Sequence, residues 1–204
     1  MTIKKQNQCL LLCGYALVFF LVVSSRHNGF FWDTVQFASA HPDFYLSTDF
    51  SSLLLPDSMD SGHIPAFGMY IALCWKLCGR TLEVSHWAML PFALGIVHQA
   101  SRFCQKLIPE KYTGLALLLI LADPSLLSQL TLVSPDVVLV FFFFLGINAV
   151  LENKQGWILT SVFFLFLTSM RGMMVSFCLL CLDIFINVNF KAYDNTWLRL
   201  IKRS

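Results

Sequence analysis

Apolar runs of membrane-spanning type recur along this chain, most of them separated by short polar turns. Val137–Leu151 is almost unbroken and contains four consecutive phenylalanines. Further runs cover Cys9–Val23, 66–77, 87–104, 115–132, Trp157–Met170 and Met173–Ile186. The residues are 57% hydrophobic and 13% charged, where soluble domains carry roughly 25% charged residues. A chain so poor in charge cannot cover a soluble surface. The pattern predicts an all-α polytopic transmembrane bundle of about 6–7 membrane helices, forming a single domain over 1–204. No repeat of solenoid type is present. Basic residues stand at the ends of apolar runs rather than in one patch, which argues against nucleic acid as a partner.

Between the first two runs lies a different kind of segment, FFWDTVQFASAHPDFYLSTDFSSLLLPDSMDSGHIP, residues 30–65. It holds Asp33, Asp43, Asp49, Asp57 and Asp60 with no lysine, and its aromatics would not be needed in a purely solvated loop. An acidic, aromatic loop (26–65) after a first helix (9–25) belongs on the outer surface, with its rings at headgroup level. Short surface helices are expected in it. Asp33 and Gln36 have capping-box spacing for a helix through Ala40, which Pro42 would end.

Lys4 and Lys5 precede the first run, and Val22-Val23-Ser24-Ser25 makes a poor cleavage site, so an uncleaved first helix with its amino terminus inside is expected. The remaining helices occupy 66–190. Lys76 and Arg80 would place the end of the second helix inside, and the basic tail 191–204 is cytoplasmic on the same rule. Counting from both ends puts Asp33, Asp60, Asp136 and Arg171 on one side. It also forces the stretches 87–104 and 115–132 to make one net crossing, with Asp123-Pro124 as the break and the basic loop 102–111 awkwardly placed. The seven cysteines lie mostly inside apolar runs and imply neither a disulfide framework nor a metal site.

Each candidate residue carries two readings. Asp33 is a general base or a helix cap. Asp136 follows Ser134-Pro135, a good helix start, or lines a site. Asp60 and His63 flank a glycine turn. Arg171 between two apolar runs either snorkels or binds phosphate in fork geometry. No zinc-ligand array, nucleotide-binding glycine loop or G-x-S-x-G is present.

A first helix, then Trp32-Asp33, then Asp60-Ser61-Gly62-His63-Ile64-Pro65 leading into a helix that ends in Gly79-Arg80, resembles the family 39 type of glycosyltransferase, the protein O-mannosyltransferase and aminoarabinose-transferase group with the GT-C fold. Ser134-Pro135-Asp136 and Arg171-Gly172 follow in the same order. The resemblance covers about residues 9–190 and matches the amino-terminal half of such enzymes. It implies transfer of a sugar from a polyprenyl-phosphate donor to a glycan, lipid or protein acceptor. The implied setting is a bacterial inner membrane, with the active site facing the periplasm. By the resemblance, Asp33 is catalytic, and Asp60, His63, Asp136 and Arg171 bind substrate. No metal ligand is assigned, and a divalent cofactor stays open. Two other readings follow from the residues: a truncated, inactive relative serving as a membrane partner, and a small transporter, which would call for a repeat pair that this chain lacks.

Overall fold

The computed structural model describes residues 2–59 and 64–192, with side chains described as far as residue 187. Asp60 and His63, and most of the tail 191–204, therefore lie outside the described residues. All the regular secondary structure among the described residues is helical, with no strand. In chain order the helices are α1 (Ile3–Ser25), α2 (Asp33–Val35), a π-helical turn (Gln36–Ala40), α3 (His41–Ser47), α4 (Ala66–Cys78), α5 (Leu82–Leu107), α6 (Glu110–Leu121), α7 (Pro124–Leu130), α8 (Pro135–Leu151), α9 (Gln155–Thr168) and α10 (Met170–Ala192).

Six rods alternate between two ends of the bundle: α1, α5, α6 with α7, α8, α9 and α10. Named contacts fix their direction. Glu83 meets His27 at 3.3 Å and Arg26 at 3.9 Å, which sets the start of α5 beside the end of α1. Asn7 Nδ2 donates to the Glu110 carbonyl at 2.8 Å, which sets the start of α6 beside the start of α1. Lys106 meets Glu152 at 2.6 Å, so α5 and α8 end together. Asp136 meets Arg171 at 3.3 Å, so α8 and α10 begin together. One end thus holds the described part of the loop 26–65, and the other holds Arg102, Lys106 and Lys154 around Glu152.

The central rod is α5, which touches α1, α4, α6 and α8. Its buried Ala88, Met89, Ala93, Ile96, Val97, Ala100 and Cys104 recur at helical spacing, and its alanines let the neighbours approach closely. The expected break after α6 is present. Asp123 caps α7 by accepting from the Leu126 amide at 2.8 Å, Pro124 opens that helix, and the two helices meet at 63°. Taken together they are long and apolar enough for one bent span.

The expectation for α4 is corrected. Its carboxy-terminal end does not reach the opposite side. Arg80 meets Asp43 at 2.5 Å, and Lys76 pairs with Asp49. Tyr70 donates to the Ala88 carbonyl at 2.7 Å and Trp75 to Ser85 at 2.8 Å. Helix α4 therefore begins and ends at the loop end, and loop carboxylates claim the two cations that suggested a crossing. The awkwardness in the middle of the chain disappears with it. Within the bundle α5 runs from the loop end to the opposite end and α6–α7 runs back, so the loop 102–111 falls beside the amino terminus and Lys154.

The capping box at Asp33 is also corrected. Asp33 is itself the first helical residue and makes no cap bond. Gln36 instead donates to the Met59 carbonyl at 3.3 Å. Nor does Pro42 end the helix. The wider π turn absorbs the bond that proline cannot make, and α3 continues to Ser47. Most of the loop rings fold inward rather than outward. Tyr45 is fully buried, donates to the Leu53 carbonyl at 3.0 Å and stacks on Phe50 at 6.0 Å. Phe31 and Trp32 remain exposed.

Two helices, Ile3–Ser25 and Met170–Asn187, are long and apolar enough to cross a membrane unaided, and the bent α6–α7 pair makes a third when taken as one span. Helices α4, α8 and α9 are apolar but shorter.

Candidate functional site

Asp136 and Arg171 form the nucleus of the site. Ser134 caps α8 by accepting from the Asp136 amide at 3.2 Å, and Pro135 occupies the first turn. This is the helix start that the sequence suggested, and Asp136 sits in it at the positive dipole end. Arg171 stands in the first turn of α10, where a cation meets the dipole unfavourably. Ser169 caps that helix, accepting from the Gly172 amide at 3.1 Å. Two helix N-termini and a guanidinium thus converge on one place, the arrangement that draws oxyanions.

The ion pair does not account for Arg171 by itself. Its side chain is 66% exposed, and exposed pairs contribute about 0–1 kcal/mol. Most of the donor capacity of the guanidinium faces outward.

The acidic loop joins this site through His41. A narrow cleft runs between Phe37 and His41 of the loop, Phe67 and Gly68 of α4, and Pro135, Ser169 and Arg171. His41 is buried, and its Nε2 lies 3.3 Å from the Met59 carbonyl oxygen. Gly68 makes the approach possible, since a Cβ there would lie 2.6 Å from His41 Cβ. Beneath the cleft lies an apolar cavity of about 330 Å³ walled by Phe67, Tyr70, Phe92, Phe142, Phe164 and Thr168. Cleft and cavity share Phe67 and Thr168.

Asp33 lies at the same end of the bundle but does not line the cleft. It follows Trp32, which is 86% exposed and holds a φ of 52°, a left-handed conformation unusual for so bulky a residue. The Thr34 hydroxyl bonds the Phe31 amide and carbonyl at 2.9 and 2.7 Å. The turn is therefore closed without the Asp33 carboxylate, which is exposed and forms no hydrogen bond among the described residues. Asp60 and His63 lie outside them. No group of three metal-ligating side chains occurs among the described residues.

Sequence reasoning missed His41, Ser169 and the second cluster at the far end of the bundle. There Glu152 is held by Arg102, by Lys106 at 2.6 Å and by Lys154 at 2.7 Å. Burial alone would raise the Glu152 carboxyl, but the hydrogen bonds from Lys106, Lys154 and Arg102 outweigh it and hold it down at about 2. Asn148 extends the network inward, donating to the Gln99 carbonyl at 2.8 Å and accepting from Lys106 at 2.9 Å. The Ser-Gly pair around Arg171 was a readable signal for the first cluster. Lysine and arginine spaced four apart at the end of α5 were one for the second.

Comparison with family models, with curated proteins and with solved structures finds no match.

Proposed function

We propose that this chain is a membrane glycosyltransferase whose six rods span the bilayer, taking a sugar from a polyprenyl-phosphate donor at the outer face. One observation carries the reading: Arg171, paired with Asp136 at two helix N-termini, lines a cleft that shares Phe67 and Thr168 with an aromatic-walled apolar cavity. A charged mouth over an apolar hollow suits a ligand with a phosphate at one end and a hydrocarbon chain at the other.

Sidedness supports it. Lys4, Lys5, Arg102, Lys106, Lys111 and Lys154 gather at the end opposite the acidic loop, against Arg26, Lys76, Arg80 and Arg171 at the loop end, and this reading assigns the more basic end to the cytoplasm. The 17 residues of α8 reach about 25 Å, short of a hydrocarbon core of about 30 Å, and flanking polar residues and local thinning accommodate the difference.

In this reading the prenyl chain lies against Phe142 and Phe164, and the donor phosphate meets Arg171 and the amides of the first turn of α10. The acceptor hydroxyl attacks the anomeric carbon and gives its proton to the uncommitted Asp33. The carbon–oxygen bond to phosphate breaks, and polyprenyl phosphate leaves with its added charge stabilised by Arg171. Asp136 orients the guanidinium. Asp60 and His63 are assigned to substrate binding on the resemblance alone. The acceptor is a glycan, lipid or protein hydroxyl.

The test is sugar transfer in membranes supplied with labelled polyprenyl-phosphate sugars. Asp33→Asn is expected to lower transfer at least a hundredfold, the lower range for loss of a general base. Undiminished transfer removes Asp33 from the mechanism.

A further inference from the structure

At the end opposite the sugar site, three cations share one carboxylate. Arg102, Lys106 and Lys154 all contact Glu152, so the cluster keeps an excess of positive charge. Beside it a cavity of about 230 Å³ opens between α5, α8 and the start of α9. Its outer rim carries Arg102, Glu152 and Lys154, with Trp157 beside them, and its inner wall carries Phe141 and Leu145. Those two side chains stand on α8 about 10–16 Å from Glu152 along the helix axis. The cavity is therefore amphipathic along its length, charged at the bundle end and apolar toward the middle. The Lys154 side chain is 55% exposed, which leaves ammonium donors free for a second anion. Trp157 is half exposed, as aromatics at a membrane interface are.

We propose that this cavity binds an anionic phospholipid of the cytoplasmic leaflet, its headgroup phosphate between Arg102 and Lys154 and its first acyl carbons along Phe141 and Leu145. Basic pockets between helices on that face suit acidic headgroups. A soluble anion would use the rim and leave the apolar wall empty. The inference rests on the reading of the six rods as membrane spans and is independent of sugar transfer.

The experiment is lipid binding by the purified chain in mixed micelles, with labelled phosphatidylglycerol against phosphatidylcholine and against inorganic phosphate. Phosphatidylglycerol is expected to be retained in preference to phosphatidylcholine and not displaced by equimolar phosphate. Lys154→Gln, a change at an exposed rim, should weaken its binding roughly fivefold. Lys111→Gln removes the same charge at the same end but outside the cavity, and should leave binding unchanged. Equal retention of the two lipids, or equal loss in both lysine variants, would overturn the proposal. Displacement by phosphate would also overturn it, since the rim would then be a site for a free anion. Failure of the span reading shows separately, as release of the protein from membranes by alkaline carbonate.

Discussion

Asp136 Oδ2 lies 3.3 Å from Arg171 Nη1 although 35 positions separate them in the chain. Each begins a different long helix, so the pair ties α8 to α10 beside the cleft that Arg171 lines. Because the pair is exposed, breaking it should cost little in stability. Arg171→Gln is expected to lower stability by no more than about 1 kcal/mol while weakening polyprenyl-phosphate binding at least tenfold, about the strength of one charged hydrogen bond. Thermal unfolding and vesicle binding measured on the same preparation check this. A large loss of stability with unchanged binding would make Arg171 a structural residue.

Helix α4 gives a prediction about sidedness. In a cysteine-free background, Arg80→Cys should react with an impermeant maleimide from the same side as Asp33→Cys, and Lys154→Cys from the other side only. Labelling of Arg80→Cys together with Lys154→Cys would restore the crossing that the sequence suggested and the ion pairs to Asp43 and Asp49 deny.

Gly172 sits where α10 crosses the end of α9, and a Cβ there would collide with the Leu165 carbonyl oxygen. Backbone cannot move aside as a side-chain tip can. Gly172→Ala is expected to destabilise by about 1–3 kcal/mol, read as a lower unfolding midpoint. Gly156→Ala is the comparison, since nothing lies within 4 Å of its Cβ position. Equal effects would mean that the crossing is not tight.

Glu152 gives the pH dependence. Its carboxyl is held at about 2, below its ordinary 4.5. A depressed carboxyl stabilises the fold fully above its unfolded value, and that contribution fades as pH falls through the folded value. The stability difference between the protein and Glu152→Gln should therefore be constant above pH 4.5 and shrink toward pH 2. A difference that does not change with pH would show that the carboxylate charge is not what holds the three cations.

Much of the helical frame was legible because its signals are local. Ser134-Pro135 started α8, Gly79 ended α4 at a φ of 99°, and Asp123-Pro124 set the 63° break between α6 and α7. Each is one or two residues acting on their own backbone. Helix α4 misled because Lys76 and Arg80 look the same whether they face the cytoplasm or pair with Asp49 and Asp43, and only packing distinguishes the two. Asp33 misled for a related reason. Its spacing to Gln36 satisfied a capping rule, but Thr34 already closed the turn and Met59 claimed the glutamine. Arg102 and Lys106, four apart, could be read as one face of α5, but their convergence with Lys154 on Glu152 depends on α5 and α8 ending at the same level, which spacing does not show.

The most direct measurement follows the sugar itself. Membranes containing this chain are given a polyprenyl-phosphate donor labelled in its sugar, and the label leaving the lipid donor is counted for the protein, Asp33→Asn and Arg171→Gln. The account predicts release by the protein and at least a hundredfold less by Asp33→Asn, with Arg171→Gln reduced as well. Release that is the same in all three, or no greater than in membranes lacking the chain, would contradict it.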